Sequence, residues 1–412
     1  MGMKTHKYRM YPTKAAEKRL FWTLERCREV YNAALTERRD AYTFHVKQHP
    51  NYYDEETRKQ LTRELTVSYN SQQNDLPAIK HELREEYQDI AAHVLQDALR
   101  RLDKAFQAFY RRVRSGQTPG YPRFKSRDRY ESFTYPDGAG WKFDGTHLQL
   151  SKIGRAKVKI HRPLMGKIKT VTIKREVTHW YATFACEVDA SEKLPVSYED
   201  VGIDVGVTHL ATLSNGEMVE HPRCLRKAEK VLERRQQALS RKKRGSHRRT
   251  RAKRLIGKAH RKIANQRKDF HHKASRQIVN RYQVIVFEDI QTANLIKRPQ
   301  PKQDEQGTYL PNGAAAKGGL NKSIVDAGWG AFISMCSSKA VEAGRTLLKV
   351  SPHFTSQICS HCGQVRKKAL SERWHSCDCG AELDRDVNAA MNILARGYKQ
   401  LVGRTDPTSA TA

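Results

Sequence analysis

Three acidic residues, widely separated in the sequence, stand where a carboxylate could bind a metal ion. Asp204 lies within an apolar run, Glu288 follows a second apolar run, and Asp386 stands in the first turn of a helical pattern. A carboxylate in a buried strand is costly unless it is paired, protonated, held by backbone donors or bound to a metal. Taken alone, Asp384 or Asp386 would more simply cap its helix. Three carboxylates in one place would repel one another unless Mg²⁺ or Mn²⁺ neutralised them, so the sequence predicts a metal site.

The chemistry that such a site performs is phosphodiester hydrolysis. Two ions about 4 Å apart can activate the attacking water and stabilise the 3′ oxygen that leaves. We therefore expect Asp204, Glu288 and Asp386 to bind metal rather than to attack the substrate. The fourth nearby acid, Asp384, is the alternative third ligand.

Four cysteines near the end of the chain predict a second metal site of a different kind. Cys359 and Cys362 precede Gly363, and Cys377 and Cys379 precede a second glycine. Four thiolates on two tight turns match tetrahedral Zn²⁺ and leave no open position, so this zinc would be structural. The one-residue gap in the second pair is unusual, with Ser376 where a longer gap would need cysteine, and it makes His375 a reserve ligand. Unrelated thiols or a disulfide are the alternative.

The charge of the chain indicates a polyanionic partner. The 412 residues carry a formal net charge of +32, and the pI is near 9.9. Such an excess points to nucleic acid bound through its phosphates and makes a nuclease the simplest interpretation. The other four cysteines are scattered and suggest a reducing compartment, and neither a signal peptide nor a membrane span is visible. We expect a cytoplasmic, prokaryotic protein that is nucleoid-associated when it acts.

The first half of the sequence predicts a helical unit inserted into a small antiparallel β-barrel. A strand is expected over residues 4–11, and Thr13 can cap the helix that follows. Amphipathic periodicity makes residues 13–116 helical, and short strands follow between residues 131 and 188. The intervening Gly/Pro-rich segment 117–127 either contacts nucleic acid through its aromatic and basic side chains or is a simple turn.

The second half predicts the order of elements of an RNase H-like fold. A strand with Asp204 in its middle is followed by a hairpin, long basic helices, a strand ending near Glu288, a helix over 323–343 and a strand over 346–350. In such a fold these acids can converge at one edge of the sheet. The basic run 241–249 is expected to turn between two helices that offer a positive surface to phosphates.

One long polar segment interrupts this order. Residues 297–319 are rich in proline and glycine, and they predict a loop of low order that could cover the site as a mobile lid.

Several motifs together resemble those of TnpB, the transposon-encoded RNA-guided DNA endonuclease family related to type V CRISPR effectors. The similarity extends from about Lys7 to about Leu401. The motifs that carry it are Tyr-Arg-Met-Tyr-Pro at 8–12, Gly-Tyr-Pro-Arg-Phe-Lys-Ser at 120–126, Gly-Ile-Asp-Val-Gly at 202–206, Phe-Glu-Asp at 287–289, Asp-Ala-Gly-Trp-Gly at 326–330, and the cysteine segment followed by Asp-Arg-Asp-Val-Asn-Ala-Ala at 384–390.

The resemblance implies an α+β multidomain protein with a wedge β-barrel, an inserted helical recognition domain, an RNase H-like (RuvC) nuclease domain and a zinc ribbon insertion. It implies a guide RNA from the transposon end, a double-stranded DNA target beside a short transposon-adjacent motif, and metal binding by Asp204, Glu288 and Asp386. The domain ranges expected are 1–12 and 117–195 for the barrel, 13–116 for recognition, 196–352 and 382–402 for RuvC, 353–381 for the ribbon and 403–412 for a disordered tail.

Two other functions fit the same sequence. A guide-RNA-dependent regulator that binds DNA without cutting would be favoured by loss of any of the three acids, and all three are present. A transposase that transfers strands on the same fold would join DNA rather than only cut it.

Overall fold

The computed structural model describes residues 2–44, 54, 56–57, 67–136, 138–189, 193–369 and 372–405. The chain divides into two compact units, Met1–Ala190 and Ser191–Ala412. Within the described ranges, no helix combines the length and the apolar character that crossing a membrane requires.

The first unit is built on a seven-stranded antiparallel sheet that forms a nearly closed barrel. Its strands are β1 (Gly2–Pro12), β2 (Ser132–Tyr135), β3 (Trp141–Phe143), β4 (His147–Leu150), β5 (Gly154–Lys159), β6 (Lys167–Glu176) and β7 (His179–Val188). The order is β2-β6-β7-β1-β5-β4-β3, so the first strand pairs with two strands that come far later in the chain. Alternate side chains of β1, among them Tyr8 and Met10, are buried as a barrel interior requires.

The helices of the first unit lie between β1 and β2 in the chain, as the sequence predicts for an inserted helical unit. In the described part of the chain they are α1 (Lys14–Tyr42), α2 (Tyr69–Ala78), a π-helical turn (Ile79–Leu83), a 3₁₀ turn (Glu85–Asp89) and α3 (Ala92–Arg114). Residues 45–53, 55 and 58–66 of the range predicted to be helical lie outside the described residues. Thr13 caps α1, because its side-chain oxygen accepts a hydrogen bond from the backbone N–H of Ala16 at 3.2 Å. The apolar faces of α1 and α3 pack together, with Leu95 and Leu102 fully buried.

The second unit contains a five-stranded sheet with the order β10-β9-β8-β11-β14. These strands are β8 (Val201–Asp204), β9 (His209–Leu213), β10 (Met218–Glu220), β11 (Val284–Glu288) and β14 (Thr346–Val350). Strand β9 is antiparallel to both of its neighbours, β8 and β10, whereas β8, β11 and β14 are parallel. This arrangement is the RNase H-like sheet that the element order predicts.

The other elements of the second unit cover this sheet or lie between its strands. They are α4 (Cys224–Ser240), α5 (His247–Arg281), α6 (Thr292–Leu295), β12 (Lys302–Gln303), β13 (Tyr309–Leu310), α7 (Ala314–Ala327), α8 (Trp329–Ala343), β15 (Trp374–Ser376), β16 (Glu382–Asp384) and α9 (Arg385–Thr405). On one face of the sheet, Phe287 packs against Phe332 of α8, with ring centroids 6.0 Å apart. On the other face, Val286 packs against Ile393 of α9. The sheet is therefore covered on both sides, as its apolar strands require.

The structure corrects three details of the sequence-based prediction. Asp204 is the last residue of β8 rather than its middle, because the apolar residues after it belong to the turn. The segment 297–319 is not wholly irregular, since it contains the β12–β13 pair and the start of α7 at Ala314. The single helix predicted over 323–343 is two helices, because Gly328 adopts a left-handed conformation with φ 66° that ends α7.

Two further elements differ in extent. Strand β3, which the sequence did not predict, is an edge strand of the barrel sheet and pairs with β4. Helix α9 continues to Thr405, into the range expected for the tail, and residues 406–412 lie outside the described part of the chain.

Candidate functional site

Asp204 and Glu288 end two neighbouring parallel strands at the same edge of the sheet. The register pairs Ile203 of β8 with Phe287 of β11, so the next residue on each strand is one of the two acids. Side chains alternate between the two faces of a strand, so Asp204 shares a face with Gly202, and Glu288 shares one with Val286. Gly202 and Val286 both contact α9, so the two acids lie on the face of the sheet that α9 covers.

Helix α9 can approach β8 closely because residue 202 is glycine. A Cβ atom at this position would lie 2.0 Å from the carbonyl oxygen of Ala390 and 2.7 Å from the backbone nitrogen of Leu394. No side chain could be accommodated without moving the helix backbone. The close contact fixes α9 against the strand that ends in Asp204, and the first turn of α9 carries Asp386.

The electrostatics of Asp204 show that the three acids influence one another. Burial raises the pKa of Asp204 well above its ordinary value, and the negative charges of Glu288 and Asp386 raise it further. Arg385 opposes this shift. Glu288 and Asp386 are therefore close enough to Asp204 for their negative charges to disfavour its ionised form.

Glu288 is held in one orientation by a residue that the sequence analysis missed. The hydroxyl of Thr355 donates a hydrogen bond of 2.5 Å to its Oε1 atom, and only 8 % of Glu288 is exposed. Burial raises the pKa of Glu288, while the bond from Thr355 and the charge of Arg396 oppose the rise. The second carboxylate oxygen stays available to a ligand.

Asp384 and Asp386 have different roles in the structure. The side chain of Asp384 accepts hydrogen bonds from the backbone N–H groups of Asp386 at 2.7 Å and Val387 at 3.3 Å, so it caps α9. Asp386 makes no such bond. Burial and the charge of Asp384 raise the pKa of Asp386, and Arg373 and Arg385 oppose the rise. The cap that the sequence analysis offered as the simple alternative is therefore provided by Asp384, whereas the carboxylate of Asp386 lies 4.0 Å from the guanidinium of Arg373.

The donor set of the three acids fits hard divalent cations such as Mg²⁺ or Mn²⁺, which prefer carboxylate oxygens. In the described part of the chain, the three carboxylates do not form a cluster tight enough for all of them to coordinate the same ion. They are nevertheless close enough to shift the pKa of Asp204.

The four cysteines do form such a tight cluster. Their Sγ atoms all lie within 4.8 Å of one another. The Cys359–Cys379 and Cys362–Cys377 pairs are 3.7 and 3.6 Å apart. A tetrahedral zinc ion with bonds of about 2.3 Å separates its sulfur ligands by about 3.8 Å, so the spacing fits zinc. All eight cysteines of the chain are free thiols, which excludes the disulfide alternative.

The short gap in the second pair does not prevent convergence. Cys377 and Cys379 both reach the cluster, and the Gly380 N–H closes a turn on the Cys377 carbonyl at 2.9 Å. His375 is fully buried on β15 and contacts the Lys368 amine, and it lies outside the group of four.

Two buried asparagines tie the cysteine turns to α9, and the sequence analysis did not identify them. Asn388 donates to the Ile358 carbonyl at 2.8 Å and accepts from the Ser360 N–H at 2.9 Å. Asn392 donates to the carbonyls of Thr355 at 2.9 Å and Ile358 at 2.7 Å. The sequence does contain a sign of this role, because the two amide side chains are four residues apart and therefore share one helix face that is otherwise apolar.

The most basic surface of the second unit lies on α4 and α5. The two helices pack together through Leu232 and Ile263, and the basic run between them is exposed. The prediction of a turn between two long helices is confirmed, because residues 241–246 separate them. Their exposed lysines and arginines can meet a phosphate backbone.

Family models match three parts of the chain. Residues 183–298 match OrfB_IS605, described as a probable transposase. Residues 329–393 match the Cas12f1-like TNB domain. Residues 1–46 match the helix-turn-helix domain of OrfB_IS605, although the described part of that range forms β1 and α1.

Two curated relatives cover most of the chain. "Putative RNA-guided DNA endonuclease InsQ" of Escherichia coli is 32% identical over 76% of this chain and 76% of its own length. "Putative RNA-guided DNA endonuclease" of Streptomyces pristinaespiralis is 34% identical over 95% of this chain and 88% of its own.

Solved structures align along nearly the whole chain at low identity. The mini-RNA-guided endonuclease CRISPR-Cas_phi3 aligns with a TM-score of 0.44 and 10% identity, over 96% of this chain and 92% of that one. The Cas12f1-sgRNA-target DNA complex aligns with a TM-score of 0.33 and 15% identity, over 96% and 99%.

Proposed function

Because the chain belongs to the TnpB family of transposon-encoded RNA-guided DNA endonucleases, we propose that it cleaves double-stranded DNA beside a short transposon-adjacent motif, at a single RuvC site. The site consists of Asp204, Glu288 and Asp386. A guide RNA from the transposon end selects the target by base pairing, while the protein reads the adjacent motif.

The observation that carries this proposal is the effect of Glu288 and Asp386 on Asp204 at the edge of the sheet. The charges of Glu288 and Asp386 both raise the pKa of Asp204, although the three residues are far apart in the sequence. Such a concentration of buried acids costs free energy of folding, which a purely structural site would have no reason to retain.

Each acid has its own support in this chain. Asp204 and Glu288 are fixed by the strands they end, and Thr355 orients Glu288. Asp384 caps α9 and thereby keeps the carboxylate of Asp386 free of the helix terminus. Mg²⁺ or Mn²⁺, when bound by these carboxylates, would neutralise them and supply Lewis acidity for hydrolysis of a phosphodiester bond.

The remaining parts of the chain support this activity. We assign the barrel (1–12 and 117–195) as the wedge, residues 13–116 as the recognition domain, residues 196–352 and 382–402 as RuvC, and residues 353–381 as a zinc ribbon. The zinc is structural, because four thiolates would complete its coordination. The net charge of +32 suits a protein that holds both RNA and DNA.

The test is cleavage of a plasmid library with a fixed target beside randomised flanking bases. The protein is co-expressed with RNA from its native downstream region and assayed with Mg²⁺ and with EDTA, beside the variant Asp204→Asn. We expect metal-dependent double-strand cuts next to one enriched motif, and no cuts by the variant although it still binds RNA and DNA.

Three outcomes would contradict the proposal. Binding at a motif without any cleavage would favour the regulator. Joined DNA products would favour a strand-transfer transposase. Cleavage by Asp204→Asn at the wild-type rate would place the active site elsewhere.

A further inference from the structure

A cavity of about 470 Å³ lies in the second unit, beside the turn that follows Asp204. None of the three carboxylates and none of the four clustered cysteines lines it. Its polar lining comes from the turn after β8, from the start of α4 and from α7. The residues that matter here are Thr208, Arg223, Arg226, Lys322, Ser323 and Asp326.

The floor of the cavity is the carboxylate of Asp326, which already has hydrogen-bond and ion-pair partners in the protein. Asp326 is 5 % exposed and accepts hydrogen bonds from the backbone N–H of Leu225 at 2.9 and 3.0 Å. It also pairs with the guanidinium of Arg267 at 2.9 Å. These contacts join α4, α5 and α7 and neutralise the charge of the acid, so the cavity has a rigid base that does not repel an anion.

The walls carry two arginines with no protein partner. Within the described residues, the guanidinium groups of Arg223 and Arg226 make no hydrogen bond and no ion pair. The other wall charges are compensated, because Lys322 pairs with Glu229. Two uncompensated positive charges therefore face one rigid cavity, and the ligand that fits them is an anion with several acceptor oxygens.

The backbone at Arg223 is strained in a way that fixes where its side chain begins. Its φ is 47°, in the left-handed region that non-glycine residues avoid at a cost of about 1–2 kcal/mol. The buried ring of His221 holds this conformation, because its Nδ1 atom accepts the N–H of Arg223 at 3.0 Å. Strain that the surrounding structure enforces in this way often accompanies a binding role.

We propose that this cavity binds one phosphodiester group of the DNA strand that is being cut, through Arg223 and Arg226. Val207, at the cavity wall, is three residues after Asp204 and so lies within about 11 Å of it along the chain. The cavity and the carboxylate site are therefore close enough for one DNA strand to contact both. Each guanidinium can donate two parallel hydrogen bonds to phosphate, and the hydroxyl of Thr208 adds a donor. This inference rests on the proposed function for the identity of the strand.

The first test measures binding without cleavage. Protein purified with its RNA is titrated with a labelled single-stranded DNA oligonucleotide in EDTA over a range of salt concentrations. We expect Arg223→Gln/Arg226→Gln to weaken binding about tenfold and to reduce the salt dependence. The comparison variant Arg251→Gln/Arg254→Gln removes two charges from exposed positions on α5, outside the cavity. Because that surface can also meet phosphates, this variant should reduce the salt dependence to a similar degree, and the second test separates it from the cavity variant.

The second test locates the phosphate. Single neutral methylphosphonates are introduced at successive positions around the cut site of a cleavable target. We expect one or two positions to slow cleavage by the wild type and by the comparison variant, and these position effects to disappear in Arg223→Gln/Arg226→Gln. Arg223→Lys/Arg226→Lys, which keeps the charge but loses the two-pronged geometry, should fall between wild type and the glutamine variant. If the glutamine variant does not fold, the lysine variant can be used to test the cavity in its place.

The outcomes separate this inference from the proposed function. Unchanged DNA affinity and salt dependence in both cavity variants would overturn the cavity site, as would a position effect that persists in them. A loss of affinity for a matching RNA oligonucleotide but not for DNA would overturn the assignment to the cut strand. A wild type that cuts nothing would contradict the proposed function, whereas the titration in EDTA would still test the cavity.

Discussion

The indole N–H of Trp329 donates a hydrogen bond of 2.9 Å to the carbonyl oxygen of Gly206, two residues beyond Asp204. Trp329 is the first residue of α8 and is 7 % exposed. It follows Gly328, where a Cβ atom would lie 3.2 Å from side-chain atoms of both Arg267 and His271. The motif at 326–330 therefore supports the turn that leaves the carboxylate site.

Replacing Trp329 with phenylalanine should impair cleavage more than it impairs folding. The variant keeps most of the buried ring but leaves the Gly206 carbonyl without its donor, at a cost of about 1–3 kcal/mol. A displaced Asp204 would lower the cleavage rate about tenfold to a hundredfold. The control is Trp180→Phe, which removes an indole bond of 3.1 Å to Glu17 in the first unit. Denaturant unfolding and single-turnover cleavage would be measured for both, and equal rate losses would contradict the supporting role of Trp329.

The two acids at the start of α9 should respond differently to substitution. Asp384→Ser keeps a good N-cap, so both the free energy of unfolding and cleavage should stay near wild type. Asp386→Asn keeps the shape but removes the charge that a divalent cation needs, so cleavage should be lost. Cleavage assays at saturating Mg²⁺ decide between them, and the reverse pattern would make Asp384 the third acid of the site.

Removing the charge of Asp204 should stabilise the metal-free protein. In the folded state its pKa is raised well above the ordinary 3.8, so the folded protein holds this proton more tightly than the unfolded chain. Stability is then lost as pH rises from about 3.8 towards the raised folded pKa. Asp204→Asn does not titrate, so its stability should fall less steeply and exceed that of wild type at neutral pH. Urea unfolding in EDTA from pH 5 to 8 would test this, and a less stable variant at pH 8 would indicate that the carboxylate stabilises the fold.

Gly202→Ala should separate α9 from β8. The added Cβ would collide with the backbone of Ala390 and Leu394, neither of which can rotate away, at a cost of about 3 kcal/mol or a shift of the helix. A shift would also displace Asp386. The matched control is Gly318→Ala in α7, where a Cβ meets nothing within 4 Å and should add about 0.5–1 kcal/mol of stability. Both variants would be compared by thermal unfolding and by cleavage, and a fully active Gly202→Ala would show that the contact is not required.

The cysteine cluster should hold one zinc ion whose loss also affects the nuclease site. Cys379→Ser should lose the metal, whereas His375→Ala should retain it, because His375 lies outside the group of four sulfurs. Metal content by mass spectrometry and unfolding with and without chelator would be measured. Zinc loss from His375→Ala but not from Cys379→Ser would make the histidine the fourth ligand.

Local patterns in the sequence predicted the elements that bury a regular apolar face. The strand at 346–350 and the helix capped by Thr13 were predicted because period-2 and period-3.6 patterns do not depend on distant residues. The end of β8 was missed for the opposite reason. Val205 lies in the turn but is buried in the core of the second unit. Its apolar side chain therefore continues the strand pattern and predicts a strand that is too long.

The candidate site was predictable only in part. Residue type and spacing indicated the acids and the cysteines, because few roles suit a carboxylate in an apolar strand or four paired thiols. Thr355 could not be predicted, because its partner Glu288 is 67 residues away in the chain. A single threonine also belongs to no sequence motif that would indicate a role. The cavity formed by Arg223 and Arg226 depends in the same way on the packing of α4 against α7.

The ribbon strand β16 ends at Asp384, and α9 begins at the next residue, so the ribbon and the helix share one continuous backbone. An inserted residue within β16 would shift its pairing with β15 or rotate the start of α9 by about 100°, which would turn Asp386 to a different side of the helix. An insertion before β15 or in the turn of residues 377–381 would change neither. We therefore expect natural length variation among relatives to fall in those two places, while β16 keeps a constant residue count up to α9.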